Sequence, residues 1–464
     1  MATSFGRRVR AAALLAFALS SPSIALAASS DAASGDPLTT PNASGWLRTY
    51  AVGGALDTAN PFFQSLGSNG RSCNTCHQLQ DAWSLTTATV HARFDASGGN
   101  DPLFRPNDGA TSPLADTSTV AKRRLAYAML LRRAVIRVGI GMPANAEFSL
   151  VAVDDPYHYA SATELSLFRR PLPATNLAFL TGVMWDTRET VAPFLPPMDA
   201  GTDAADLAAS LRHQALDATT GHAQGIAPSE QQLEAIVAFE LGLSTAQVRD
   251  RRAGWLYDGD ALGGPRALAN QRFHVGINDT LGADPTGATF DPASMSLYDA
   301  WRDEHDADRR AIARGEQLFE SKPIAIRAVG GLNDALGVEV VHGTCTTCHN
   351  APNVGNHTVS LPLDLGLTDA SRRTPDMPLY TLRNDATGEI RRTTDPGKAL
   401  LSGRWADIGK FKGPVLRGLA ARAPYFHNGS AATLEDVVEF YDTRFSIGLT
   451  PREKSDLVAF MRAL

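Results

Sequence analysis

The chain has 464 residues, of which 44% are hydrophobic and 20% charged, and its formal net charge is −6. This length predicts two or three domains, and the composition excludes a disordered, collagen-like or coiled-coil chain. No dense run of Lys or Arg occurs outside the extreme N-terminus, so we expect no nucleic-acid partner.

The N-terminal residues follow the order of a secretory signal peptide. Arg7, Arg8 and Arg10 precede a short apolar run, which ends at the small-x-small pattern Ala25-Leu-Ala27. We therefore predict a signal peptide over residues 1–27. An N-terminal membrane anchor is the weaker alternative, because the run is shorter than the ~20 residues that a transmembrane helix needs. We expect no membrane span in the mature protein.

Hydrophobic periodicity and capping signals predict a mostly helical chain. Helices are expected over 121–138, 203–217, 229–243, 303–320 and 433–443 and from residue 450 to the end, and a short strand over 148–153. Ser229 with Gln232, and Thr450 with Glu453, form capping boxes that mark two helix starts. The Gly-rich stretch 258–292 is typical of a linker. The fold class is therefore mainly α with loop insertions and little β.

All four cysteines of the chain fall into two short motifs of the same kind, Cys-x-x-Cys-His. This pattern attaches a c-type haem, because the two thiols bond to one edge of the porphyrin and the adjacent His reaches the iron. A zinc site, a redox dithiol and a disulfide are the alternatives. A zinc site would need four clustered ligands, and redox motifs rarely carry a His at the fifth position. The sequence therefore predicts two covalently bound haems. Their attachment residues are Cys73, Cys76 and His77 in one motif and Cys345, Cys348 and His349 in the other.

Two further segments resemble the bacterial di-haem cytochrome c peroxidase and MauG superfamily. Residues 411–441, which include Tyr425-Phe-His427, are similar to its C-terminal signature, and Val183-Met-Trp-Asp-Thr-Arg188 is similar to its Trp-Asp-Gly-Arg segment. The resemblance implies two cytochrome c-like domains, expected over residues 28–265 and 266–464. It also implies that the N-terminal haem reacts with peroxide and that the C-terminal haem stores or relays electrons.

The resemblance also implies roles for residues around the N-terminal haem. Trp185 matches the Trp that lies between the two haems of the family and can relay an electron, and Gln214 matches a distal-pocket Gln. The family's catalytic Glu falls on Gln224 here, and an amide cannot transfer a proton as a carboxylate does. His222, two residues earlier, is the candidate proton donor, while Gln224 could still orient peroxide or water by hydrogen bonding. The alternative interpretations are that Trp185 is a core residue and that His222 is a surface or packing residue.

The sixth ligand of the C-terminal haem is a Met in the peroxidases and a Tyr in MauG, and the matching residue here is Tyr441. The resemblance therefore implies a Tyr ligand. Met377 is the rival ligand, and Tyr441 could instead simply fill the apolar face of its helix. His91 is a candidate ligand of the resting N-terminal haem. His427 matches a family His that we expect to support the haem rather than to ligate it.

The family also holds a calcium ion between its haems. One calcium ligand is an Asn that falls on Arg170 in this sequence, and the carbonyl ligands would come from Arg422 and Pro424. A guanidinium has no acceptor and repels a cation. This departure argues against calcium, and Arg170 could fill the site with its own positive charge.

These observations favour a periplasmic peroxidase that reduces hydrogen peroxide to water. Its electrons would come from a small periplasmic donor protein or from the quinol pool. The alternatives are a MauG-like enzyme that uses a high-valent haem to oxidise a partner protein, as Tyr441 suggests, and a plain electron-transfer cytochrome with both irons six-coordinate.

Overall fold

A computed structural model describes residues 38–191 and 200–464, with helices and small sheets alternating along the chain. The predicted signal peptide, residues 1–27, lies outside these ranges. The helices of the described ranges are α1 Thr87–Ser97, α2 Val120–Ala126, α3 Ala128–Arg133, α4 Ala200–Asp217, α5 Glu230–Leu241, α6 Pro265–Ala269, α7 Ala307–Ser321, α8 Asn333–Leu336, α9 Ala399–Ser402, α10 Leu434–Phe445 and α11 Pro451–Ala463. None of them is long and apolar enough to cross a membrane.

The strands of the described ranges form four small antiparallel sheets. They are β1 Thr39–Asn42, β2 Gly45–Ala51, β3 Ile136–Ile140, β4 Phe148–Asp154, β5 Leu165–Arg169, β6 Leu243–Asp250, β7 Gly254–Trp255, β8 Ile324–Arg327, β9 Val340–Gly343, β10 Leu379–Asn384 and β11 Ile390–Thr393. The sheet orders are β1-β2-β6-β7, β11-β10-β4, β3-β5 and β8-β9. Helices hold 32% of residues and strands 17%, so the mainly α prediction is confirmed only in part, because it allowed for too little sheet.

The capped helices form where the sequence predicts them. The Ser229 side chain accepts from Gln232 N and the Gln232 side chain from Ser229 N, which starts α5. Thr433 and Asp436 cap α10 in the same way, and Thr450 caps α11 with Pro451 in its first turn. A reciprocal box satisfies two backbone N–H groups that have no partner inside the helix, which makes such starts readable from sequence.

The predicted helix over 121–138 is wrong at its C-terminal end. Helix α3 ends at Arg133, the backbone of its C-cap residue Ala134 is left-handed with φ 49°, and β3 begins at Ile136. Strand β3 pairs along its whole length with β5, which is buried at every position. Pairing with a distant buried strand therefore overrides the local helical spacing of this segment.

The two cysteine motifs lie against different helical cores. Helices α4 and α5 supply Ala215 and Leu233 to the buried cluster that Cys73 contacts, and α7, α10 and α11 build the cluster that Cys345 contacts. Strand β4 pairs with β10, so one sheet joins the two halves of the chain. The described residues, from Leu38 onward, form one compact unit. The domain boundary at residue 265 stays a prediction, and the predicted linker contains α6.

Candidate haem sites

Both Cys-x-x-Cys-His motifs fold into the same local turn. A single 3-10 turn holds Cys73–Thr75 in one motif and Cys345–Thr347 in the other. In each, the Thr three residues after the cap accepts a hydrogen bond from the capping residue's N–H, over 3.0 Å at Thr75 and 2.9 Å at Thr347. The His N–H then bonds to the carbonyl of the first Cys. This turn brings both thiols and the His to one side, as covalent haem attachment requires.

The ring of each motif His is held by a backbone carbonyl. His77 Nδ1 lies 3.0 Å from the Trp83 carbonyl oxygen, and His349 Nδ1 lies 2.6 Å from that of Gly355. Because a carbonyl only accepts, Nδ1 carries the proton and Nε2 keeps its lone pair for a metal. Burial lowers the pKa of both imidazoles, that of His349 to about 4, so both are neutral and ready to ligate.

Each motif lines one large cavity. Cys73, Cys76 and His77 line the first, which we call the N-terminal cavity. Cys345, Cys348 and His349 line the second, the C-terminal cavity. All four cysteines are free thiols, which excludes a disulfide between them in this structure. Burial raises the pKa of Cys73, Cys345 and Cys348 to about 12, which disfavours reactive redox thiolates.

The two cavities share a wall that carries buried positive charge. Arg170, Lys412 and Arg422 line both cavities, and none of them makes an ion pair with any residue of the described ranges. Burial lowers the pKa of Lys412 to about 8, that of Arg170 to about 9 and that of Arg422 to about 10. Buried cations call for anionic partners. The propionate carboxylates of a haem in each cavity would meet this demand, so the residues present fit haem.

Trp185 belongs to the shared wall and lines both cavities. Its Nε1 donates to the Arg170 carbonyl oxygen over 2.8 Å, which sets the plane of the indole. Its ring meets that of His427 edge-on, with the centroids 6.2 Å apart, and His427 stacks on Phe411 at 4.0 Å. The indole therefore lies where an electron relay between the cavities would have to be, and the relay role stays a prediction.

The distal residues of the N-terminal cavity include a hydrogen-bonded His–Asp pair that the sequence did not reveal. His222 lies in the π-helical turn that follows α4, and its Nδ1 is 2.6 Å from Asp108 Oδ2. Since an ionised carboxylate only accepts, Nδ1 is the donor and Nε2 is left for another partner. The other oxygen of Asp108 accepts from Arg71 Nη1. Asp108 lies 114 residues from His222, and no local pattern marks it.

The charge of Asp108 is secured by its neighbours. Burial favours the neutral acid, but the hydrogen bond from His222 and the charge of Arg71 outweigh it and hold the Asp108 pKa below its ordinary value. Arg71 is itself fixed through its Nε and Nη2, which donate to the Pro102 and Leu103 carbonyls over 2.9 and 2.8 Å. The Asp108 carboxylate is therefore held in place, and it fixes the orientation of the His222 imidazole through Nδ1.

The two glutamines predicted beside His222 lie in different surroundings. Gln214 is half-buried on α4 and lines the N-terminal cavity. Gln224 is exposed, is not among the lining residues, and accepts from Asn69 Nδ2 over 3.4 Å. This placement favours His222 and Gln214 over Gln224 as groups that face a bound ligand. His91 is exposed on α1 and lines neither cavity.

A polar cleft adjoins the N-terminal cavity on the side of His222. His222, Gln214, Asp108 and Arg188 line both spaces. The cleft is lined further by charged side chains of both signs: Arg137, Glu164, Glu189 and Asp217. A small polar molecule could therefore reach His222 through a cleft in which charged and polar side chains predominate.

The distal side of the C-terminal cavity is aromatic. Tyr441 on α10 lines it, and the Tyr441 ring packs against Phe426, Phe440 and Phe445. Burial raises the pKa of this phenol well above its ordinary value, so it is neutral unless a cation binds it. Tyr441 therefore lies in the cavity where the resemblance places the sixth ligand.

Met377 and Met461 differ in their position relative to the C-terminal cavity. Met377 is buried in a separate cluster with Met129, Val135 and Phe168 and does not line the cavity. Met461 on α11 does line it. The sequence reasoning did not consider Met461, because it follows the signature by many residues and only the packing of α11 against α10 brings it close.

Comparison with known proteins gives matches to parts of the chain. The family described as RoxA-like, cytochrome c-like matches residues 410–447, which contain His427 and Tyr441. Cytochrome-c peroxidase IdrP2 of Denitromonas iodatirespirans is 33% identical over 132 residues, which cover 26% of this chain and 36% of the relative. Its namesake in Pseudomonas sp. (strain SCT) is 32% identical over 197 residues, which cover 37% and 53%. These matches confirm the resemblance to the di-haem cytochrome c peroxidase and MauG superfamily.

The matches cover limited lengths. The chain spans between about a third and about half of the length of these two relatives. Among solved structures, a MauG-like protein associated with microbial copper homeostasis is 16% identical, with a TM-score of 0.37 over 87% of both chains. A TM-score this low indicates nothing about function.

Proposed function

We propose that the protein is a periplasmic di-haem c-type peroxidase, which reduces hydrogen peroxide to two molecules of water with two electrons and two protons. The observation that carries this proposal is that the two Cys-x-x-Cys-His motifs share one sequence pattern but have different surroundings. The N-terminal cavity has an oriented His222–Asp108 pair beside a polar cleft, whereas the C-terminal cavity has the aromatic cluster around Tyr441. The curated relatives, which are named cytochrome-c peroxidases, support the same activity.

Each motif would hold one haem through its two thiols and its His Nε2, and Tyr441 would be the sixth ligand of the C-terminal haem. A bound haem supplies the iron at which peroxide is reduced and at which electrons are stored. Arg170, Lys412 and Arg422 would bind the propionates where the cavities meet. Electrons would enter from a small donor protein or from quinol and pass Trp185 between the cavities.

The protein's own acid–base chemistry would reside at His222. Its Nδ1 proton is committed to Asp108, so Nε2 would receive a proton from peroxide and return it to the leaving oxygen. Asp108 would not itself transfer a proton, but would hold the ring orientation and stabilise the imidazolium. Gln214 would orient peroxide by hydrogen bonding. General acid–base catalysis of this kind accelerates a reaction about 10²- to 10⁴-fold.

A second candidate function is favoured by Tyr441. An anionic phenolate ligand stabilises an oxidised iron, which suits an enzyme that uses peroxide to oxidise a partner protein, as the resemblance to MauG implies. We favour the peroxidase function over oxidation of a partner protein because the polar cleft at His222 admits a small substrate.

The test uses the mature holoprotein, with optical and EPR spectra recorded before and after one equivalent of peroxide. The proposal expects a spectral change at the N-terminal haem and rapid peroxide consumption with a reduced small cytochrome as donor. A spectral change with slow turnover of every small donor would favour oxidation of a partner protein. A resting spectrum with both irons six-coordinate and unresponsive to peroxide would leave a plain electron-transfer cytochrome.

A further inference from the structure

Arg170 lies where the polypeptide directs backbone carbonyls toward one buried point. Its Nη1 donates to the Arg422 carbonyl oxygen over 2.7 Å and also to the Pro424 carbonyl oxygen. Its Nη2 donates to the Leu85 carbonyl oxygen. Three carbonyls from two segments far apart in sequence therefore share one guanidinium.

This arrangement is one that a hard cation would otherwise occupy. Calcium takes six to eight oxygen ligands, backbone carbonyls among them. Two of the oxygens at Arg170, those of Arg422 and Pro424, are the ones that the family resemblance assigns to calcium. The guanidinium already saturates them, and the nearby charges of Arg422 and Lys412 disfavour a further cation. The residues present therefore do not fit calcium.

Arg170 also connects the groups that separate the two cavities. Its backbone N–H donates to the His427 carbonyl oxygen over 2.7 Å, and its own carbonyl accepts from Trp185 Nε1. Its side chain reaches Leu85, which belongs to the apolar cluster beside the N-terminal motif. Residue 170 therefore contacts Trp185 and His427 through its backbone, while its guanidinium holds the Leu85, Arg422 and Pro424 carbonyls.

We propose that Arg170 is a built-in cation that takes the place of a bound calcium ion between the two haem sites. The guanidinium ties together the two carbonyls that the resemblance assigns to calcium and the carbonyl of Leu85, and it is covalently part of the chain. The link between the cavities is thus independent of calcium. This proposal goes beyond the peroxidase function and holds whichever reaction the haems perform.

The experiment compares the wild-type holoprotein with Arg170→Asn, which restores the residue of the calcium-binding relatives. Metal analysis of the wild type should find no stoichiometric calcium, and EGTA should leave its Tm unchanged. Arg170→Asn should lower the Tm by about 5 °C, because three buried carbonyls lose their donors. Added calcium should then bind the variant with a stoichiometry of one and restore much of the Tm.

Arg252→Gln is the matched control, because Arg252 is exposed and pairs only with Asp308 on the surface. It should respond neither to calcium nor to EGTA. Stoichiometric calcium in the wild type, or a fall of its Tm in EGTA, would overturn the proposal. So would an Arg170→Asn variant whose lowered Tm ignores calcium, because Arg170 would then be an ordinary buried hydrogen-bond donor.

If Arg170→Asn does not fold, Arg170→Lys replaces it in the same measurements. Lysine keeps the charge but has a single donor group. The proposal expects a folded, calcium-independent protein with a Tm between those of the wild type and a neutral substitution, and calcium binding to the lysine variant would contradict it. Neither outcome depends on peroxide turnover, so the peroxidase function is tested separately.

Discussion

The N-terminal and C-terminal cavities are each lined by one Cys-x-x-Cys-His motif, but most of their other lining residues differ. Both motifs form the same turn, and both ligand histidines are held by a backbone carbonyl. Opposite His77 lie a hydrogen-bonded His222–Asp108 pair and a polar cleft, and near His349 lies the aromatic cluster of Tyr441. The motif thus provides attachment, and the residues brought in from elsewhere decide the chemistry of each site.

The largest expected effect tests whether the two motifs are independent attachment sites. Cys345→Ala with Cys348→Ala should remove one covalent haem and leave the other, because each cavity has its own thiols and His. Intact-mass measurement of the purified protein would count the haems. The matched control replaces Cys73 and Cys76 instead, and it should also leave one. Two covalent haems in either double variant would contradict the assignment.

The next effect concerns the proposed acid–base pair of the N-terminal cavity, His222 and Asp108. His222→Ala should slow peroxide turnover about 10²-fold or more, because the distal proton carrier is lost. Rapid-mixing measurement of the reaction with peroxide isolates this step. His342→Ala, at an exposed His of β9, is the control and should leave the rate unchanged. An unaltered rate in His222→Ala would assign proton transfer to water or to another group.

Asp108→Asn should slow the same step by about tenfold, because the amide no longer stabilises the imidazolium. Combined with His222→Ala it should add little, since the two residues act as one unit. Fully additive effects in the double variant would mean that Asp108 only supports the fold.

The next prediction concerns Tyr441, the proposed sixth ligand in the C-terminal cavity. Tyr441→Phe should change the optical and EPR spectra of the C-terminal haem and raise its reduction potential, because an anionic donor is lost. Met461→Leu is the paired variant and should leave the spectrum unchanged. If instead Met461→Leu alters the spectrum and Tyr441→Phe does not, Met461 is the ligand and the resemblance to MauG fails at this position.

The smallest effect is on stability and involves Glu240, a buried carboxyl of the N-terminal cavity with one oxygen lacking any partner. Burial raises its pKa to about 8 from 4.5. Between these values the folded protein binds the extra proton, so the free energy of unfolding falls as pH rises, by at most about 1.4 kcal/mol per pH unit. Glu240→Gln should remove this slope. Urea titrations at several pH values would detect it, and an equal slope in both proteins would contradict the assignment.

Local sequence signals were sufficient to predict helix starts but not strand pairing. Capping boxes at Ser229 and Thr450 predicted two helix starts, because each box depends on residues three positions apart. The sheets were underestimated because their strands pair over long distances, as β4 does with β10. Strand β3 was predicted as helix for the same reason. Strand pairing is settled by the partner, which the local sequence does not contain.

The same distinction applies to the sites. The sequence alone was enough to predict the attachment residues, since thiols and His must be close neighbours to reach one porphyrin edge and its iron. Only the tertiary structure brought Asp108 to His222, Met461 beside Tyr441, and the carbonyls of Leu85, Arg422 and Pro424 to Arg170. The physical reason is that a buried charge must find its partners in space. Those partners come from whichever segments the packing brings near, however far apart they lie in the chain.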